Sequence, residues 1–263
     1  MDTSRQGICH ICGKNSKLTF EHVPPLSTFN DKKIKSVSGE QLFSTKNRPW
    51  DTSGMTYTLQ QRGAGFFSLC ESCNNNTGCW YGKEYTKFVW SIGKLMYDRE
   101  EDFIVNEFTH LQLYKVNPLA IIKQMLSMFC SINKDYFIDD NLREFILNKT
   151  SKELDKKKYR LCMYLTKDLC IRYAGLTWLF NLENSDSIAV SEISAYPIGL
   201  ILYLNPENTH VSHGYDITDF ANCEYNTEYN IDFSLPLYER NSFFPLDYRT
   251  KEDIEDCIRK KKT

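Results

Sequence analysis

Two Cys-x-x-Cys pairs stand 57 residues apart in this chain, Cys9/Cys12 in CHICGK and Cys70/Cys73 in LCESCNNNTG. A tight knuckle turns both sulfurs of such a pair toward one ion, and two pairs complete a tetrahedral thiolate set for Zn²⁺. Four thiolates leave the ion no open position, so this zinc is structural. Between the pairs lies Glu21-His22, in TFEHVPP, and Asn74 directly follows Cys73. A carboxylate, an imidazole and a carboxamide tied to one zinc frame are the groups of a second, catalytic metal centre.

Each of these readings has a plainer rival. The cysteines could be unrelated free thiols, although two Cys-x-x-Cys pairs argue against that. Cys79 and His10 are alternative zinc ligands. An isolated histidine is usually a satisfied structural residue, and it is the surrounding constellation that favours catalysis for His22. Arg62 and Lys83 are either phosphate contacts or solvated charges, and Glu84 is either a further ligand or an exposed helix carboxylate. His110 belongs to no motif. His210 and His213, in THVSHGYD, have metal-binding spacing but no further ligands beside them.

Composition bounds the class of protein. Of 263 residues, 41% are hydrophobic and 14% aromatic, enough for a packed core. Mean hydropathy is −0.46, and no stretch approaches the roughly 18 apolar residues of a membrane span. The start, MDTSRQGICH, has no apolar segment of the secretory kind. Ten cysteines are many, but Cys130 and Cys162 lie in apolar runs and read as buried thiols. A chain of this length does not need disulfide staples, which favours a reducing, cytoplasmic setting. The net charge of −2 is unevenly spread: residues 1–90 carry +4 and residues 91–263 carry −6. A basic N-terminal part is compatible with phosphate binding there.

The elements that must position these residues follow from pattern. Residues 1–8 read as a disordered lead, and Gly13 supplies the turn after Cys12. Residues 18–23 form a strand stopped by Pro24-Pro25, residues 27–61 a long polar loop with one short element, and residues 66–69 a second strand. An Asn-rich turn then precedes a helix over 80–97, where Tyr81, Tyr85, Phe88, Val89, Ile92 and Met96 keep helical spacing. Helices are predicted over 117–133, with Pro118 in the first turn, and over 138–157. From Tyr159 the period shifts to strands: YRLCMYL, CIRYAGLTWLFNL, SIAVSEI and PIGLILYL. The end reads as irregular and aromatic, closing on a short acidic helix. The fold class is therefore α+β, with an antiparallel sheet in the second half.

The order Cys9/Cys12, Glu21-His22, Cys70/Cys73, Asn74 resembles the HNH endonuclease superfamily, the ββα-metal nucleases. It is most similar to members reading E-H-hydrophobic-P and later C-x-x-C-N-N-x-x-G. Here these are Glu21-His22-Val23-Pro24 and Cys70 to Gly78. The resemblance covers about residues 8–97. It implies a treble-clef-like zinc and nuclease domain over 1–97, followed by an α+β domain over 98–263 for target selection, partner or ligand sensing, or dimerisation. By resemblance, His22 is the general base that takes a proton from the attacking water, and Glu21 and Asn74 hold the catalytic metal, an oxygen-ligand pair that suits Mg²⁺ or Mn²⁺. The substrate is DNA, with RNA still open, and the products carry 5′-phosphate and 3′-hydroxyl ends. One such site cuts one strand, so double-strand cleavage needs a homodimer or two events. Stand-alone proteins of this kind are parts of bacterial restriction or anti-phage systems, which makes a partner protein another expectation. Many relatives carry an Asn shortly before the second Cys pair to orient the histidine; residues 62–67 here contain none. The rival function is a non-catalytic zinc module that binds nucleic acid or protein.

Overall fold

The computed structural model describes residues 5–36, 56–60, 63–180, 187–206 and 213–238. Three antiparallel strands open it, β1 (Arg5–Ile8), β2 (Asn15–His22) and, after the two short paired strands β3 (Ile34–Ser36) and β4 (Thr58–Gln60), β5 (Gly65–Cys70), in the order β1-β2-β5. Residues 5–8, expected as a disordered lead, instead pair with Leu18 to Asn15. Their side chains are mostly exposed, so the backbone ladder holds them and no apolar pattern announces them. The long polar stretch likewise contains two short strands; its residues 37–55 lie outside those described.

Cys70 ends β5 and is also the N-cap of α1 (Glu71–Thr77), which continues through a π-turn (Gly78–Gly82) into α2 (Lys83–Asp98). The helix thus begins nine residues before the predicted start at 80. Asn74, Asn75 and Asn76 are poor helix formers. A tertiary tie holds them helical: the Asn74 amide bonds back to the Thr19 hydroxyl and the Phe20 carbonyl of β2.

β6 (Phe108–Val116) turns Thr109, Leu111 and Leu113 inward, the period-2 signature of a half-buried strand. α3 (Pro118–Ile132) starts at an Asn117 cap with Pro118 in its first turn, as predicted. It is buried on every side, as a central core helix must be. It packs against β5, the π-turn, α2, α4 and the sheet strands β8 and β9. α4 (Asp140–Leu147) is capped by Asp139, whose carboxylate accepts from the Leu142 amide at 2.8 Å. It stops ten residues before the predicted end at 157, because the Asn148 side chain turns to the Thr150 amide and the buried Lys123 ammonium takes the Phe145 and Asn148 carbonyls, each at 2.6 Å. Burial pushes that ammonium down to about 7.

The large sheet runs β6-β12-β7-β10-β9-β8, built from β7 (Tyr159–Thr166), β8 (Arg172–Phe180), β9 (Ser187–Ala195), β10 (Ile198–Leu204) and β12 (Tyr229–Tyr238), with β11 (Tyr215–Asp216) beside β7. The class is α+β. The expected antiparallel sheet has one parallel pairing, β12 with β7, so it is mixed. Residues 229–238, expected as irregular, form β12. Pro236 argues locally against a strand, but it sits opposite Phe108 at the end of the β6 ladder, where a missing N–H is tolerated. The predicted closing helix lies outside the described residues. One buried hydrophobic cluster runs from Cys9 and Leu69 through α3 to Leu237.

Candidate functional site

The four predicted cysteines come together. Their sulfurs all lie within 4.8 Å of one another, and among the described residues they are the one group of His, Cys, Asp and Glu side chains so placed to hold an ion. Cys9 follows β1, and the knuckle closes by the Gly13 amide on the Cys9 carbonyl at 2.9 Å, with Gly13 at φ 72°. The His10 amide donates to the Ser68 carbonyl at 2.9 Å, docking the knuckle on β5. The Cys12 and Cys70 sulfurs are 3.8 Å apart. That is far beyond a disulfide's ~2.05 Å. It matches the roughly 3.8 Å edge of a tetrahedron with Zn–S bonds of about 2.3 Å. A hydrogen bond from the Cys73 thiol holds the Cys9 thiol down to about 4, and the same contact together with burial pushes Cys73 up. Four sulfurs this close share protons until a cation displaces them. The donor set therefore fits a metal ion and is compatible with structural zinc.

The rival ligands are placed elsewhere. The His10 Nδ1–H donates to the Cys130 carbonyl at 3.0 Å, so that nitrogen is engaged away from the sulfurs. Cys79 is exposed.

Glu21, His22 and Asn74 line one cleft of about 640 Å³, walled on the far side by the π-turn and the first turns of α2. Glu21 is buried, at 9% exposure. Burial pushes its carboxyl up to about 8, and it has no hydrogen-bond or ion-pair partner among the described residues. An isolated buried carboxylate is costly unless it is protonated or a cation joins it. The His22 ring packs edge-on to Phe20, with centroids 5.0 Å apart. Asn74 ties α1 to β2: its Nδ2 donates to the Thr19 hydroxyl at 2.9 Å and to the Phe20 carbonyl at 3.3 Å. The carbonyl can only accept, which fixes the amide orientation. The Asn74 Oδ1 is left without a partner among the described residues.

Two residues that the sequence does not single out hold this geometry. Gly65 stands opposite His22, and a Cβ there would lie 2.1 Å from the Glu21 carbonyl oxygen. Asn30, buried, accepts from the Ala64 amide at 2.7 Å and donates to the Pro24 carbonyl at 2.6 Å and to the Ala64 carbonyl at 2.9 Å. It locks the turn after Glu21-His22 onto the strand that follows the long loop. The only sequence signal for Asn30 is an Asn in a turn-rich stretch. Beyond it, the Trp90 indole donates to the Ser27 carbonyl at 2.7 Å, joining that turn to α2.

The remaining candidates are dispersed. Lys83 lines the cleft, Glu84 pairs with Lys87 at 2.8 Å, and His110 is exposed on β6. Arg62 and His210 lie outside the described residues, so the His210/His213 pair has no described geometry. No helix among the described residues is long and apolar enough to cross a membrane. No protein-family model, curated protein or solved structure matches the chain.

Proposed function

We propose that the chain is a metal-dependent endonuclease of the HNH kind, hydrolysing phosphodiester bonds of DNA at the cleft of Glu21, His22 and Asn74. The observation that carries this reading is the buried, unpartnered Glu21 carboxylate in a cleft shared with His22 and with the free Asn74 Oδ1. These two oxygens would hold Mg²⁺ or Mn²⁺, and the four cysteines Zn²⁺. A divalent cation bound there neutralises developing charge on the phosphate and on the leaving oxygen.

The chain's own residues do the rest. His22 takes the proton from the attacking water. Asn74 keeps the end of β2 fixed against α1, so that Glu21 and His22 keep their spacing. The cysteine frame fixes the β2–β5 pair at its other end and takes no part in the chemistry. The resemblance adds the 5′-phosphate and 3′-hydroxyl products and a place in a bacterial restriction or anti-phage system, working as a homodimer or with a partner protein.

Supercoiled plasmid incubated with the purified chain tests this. Nicking is expected with Mg²⁺ or Mn²⁺, none with EDTA, and a loss of at least ~100-fold in His22→Ala, the low end of what a general base contributes. Equal nicking by wild type and His22→Ala would falsify the assignment. DNA binding that is unchanged in His22→Ala, with no cutting by either protein, would favour the rival zinc-module reading.

A further inference from the structure

The cleft holds a second unpartnered polar group, on the opposite side from β2. Gln124, on α3, is 1% exposed and lines the cleft. Its Oε1 is fully buried without a hydrogen bond, and its Nε2 likewise has no partner among the described residues. Buried carboxamides nearly always have partners, so an amide left open at both ends beside a cavity points to a ligand that completes it.

From this we infer that the cleft receives a single unpaired nucleotide, whose base edge is met by Gln124; the inference rests on the nuclease reading of the same cleft. A carboxamide offers a donor beside an acceptor, and its complement is an acceptor beside a donor. Every nucleobase has such a pair on its Watson–Crick edge, which a duplex conceals. In an intact duplex the edges that complement a glutamine are the major-groove edge of adenine and the minor-groove N3/N2 edge of guanine. Reading either requires a side chain that projects into a groove, and Gln124 is buried. The base must therefore come to Gln124.

The rest of the cleft suits such a guest. Its volume of about 640 Å³ falls in the range of roughly 300–1,000 Å³ that accepts small organic ligands. Trp90 lines it at 50% exposure. The indole is held by its bond to Ser27 and by Phe29, 4.4 Å away between centroids. A rigid, half-open aromatic face is a stacking platform for an unpaired base. Lys83 has no ion-pair partner among the described residues and is available for the nucleotide's phosphate, whereas Lys87 is engaged by Glu84.

The test uses the full chain with three end-labelled DNA substrates of one sequence: single-stranded, fully paired, and paired with a one-nucleotide bulge. The wild type should cut the single-stranded and bulged forms about tenfold faster than the paired one, the discrimination of one good base contact. Gln124→Met keeps the length but cannot hydrogen-bond; it should retain its zinc and its melting temperature, raise KM and erase the preference. Trp90→Ala should weaken single-strand binding without touching the α3 core. Equal or faster cutting of intact duplex by the wild type overturns the inference, as does a preference that survives in Gln124→Met. If the wild type cuts nothing, the nuclease reading fails, and binding decides instead. Fluorescence anisotropy with the labelled single strand then upholds the nucleotide site if binding is lost in Gln124→Met, and overturns it if no binding occurs.

Discussion

Glu21 carries a cost that its own fold does not relieve. In a carboxylic acid raised from an ordinary value of 4.5 to about 8, the folded state holds a proton that the unfolded chain releases. The group's contribution is therefore fully present below about pH 4.5 and declines as pH rises toward 8. Glu21→Gln removes the titration and keeps the shape. In buffer without added divalent cation at pH 8, the variant should melt above the wild type, by roughly 2–4 °C per kcal/mol recovered. Added Mg²⁺ should raise the wild-type melting temperature and leave that of the variant unchanged. A lower melting temperature for Glu21→Gln at pH 8 would show that the carboxylate is already compensated. The types and order of the site residues were legible because each is a chemical requirement: sulfur pairs for a thiolate site, and carboxylate, imidazole and carboxamide beside them. The closeness of Glu21, His22 and Asn74 was expected from the resemblance, but the Nδ2 bonds from Asn74 across to β2 that hold it carried no sequence signal.

Among the elements, those with strong period or strong caps were readable: α3 with its Asn117-Pro118 start, and the strands of the large sheet from β7 to β10. Those held by distant partners were not. β1 has little apolar signal and exists as a ladder on β2; α1 overrides three asparagines; β12 carries a proline and is placed between β6 and β7, which are far from it in sequence. The turn after Glu21-His22 belongs to the same class. It has the chemistry of a loop, yet Asn30 fixes it with three hydrogen bonds to buried backbone. Asn30→Ala would strand the Ala64 amide and the Pro24 carbonyl, at about 1–3 kcal/mol for each buried group. Urea unfolding should show a loss of about 2–6 kcal/mol on the same scale. Nicking should fall while bound zinc, by atomic absorption, stays at the wild-type ratio. A variant as stable as the wild type would mean that Pro24-Pro25 and the bonds from Trp90 and Tyr173 hold the turn without Asn30.

Across the whole molecule, the cysteine group is tied into the sheet's core and does not hang from it. His10 reaches the Cys130 carbonyl on α3, Arg143 on α4 donates to the Ile11 carbonyl inside the knuckle at 3.0 Å, and Tyr173 on β8 donates to the Val23 carbonyl. Farther along, the Tyr225 hydroxyl reaches Trp80 in the π-turn at 3.2 Å. With α3 packed between the two sheets' elements and one hydrophobic cluster spanning both, losing the ion should be felt well beyond residues 5–98. A thiolate zinc site contributes about 10–16 kcal/mol in peptides that fold around it, comparable to the ~5–15 kcal/mol of a whole domain. Cys73→Ser, or stripping with a strong chelator, should therefore lower one shared transition. Far-UV circular dichroism, which the large sheet dominates, and tryptophan fluorescence, to which Trp80 in the π-turn and Trp90 beside the cleft contribute, should shift together by 10 °C or more, at roughly 2–4 °C per kcal/mol. If the fluorescence change moves and the sheet signal does not, the ties through His10, Arg143 and Tyr173 do not couple the two parts, and the metal frame folds as a unit of its own.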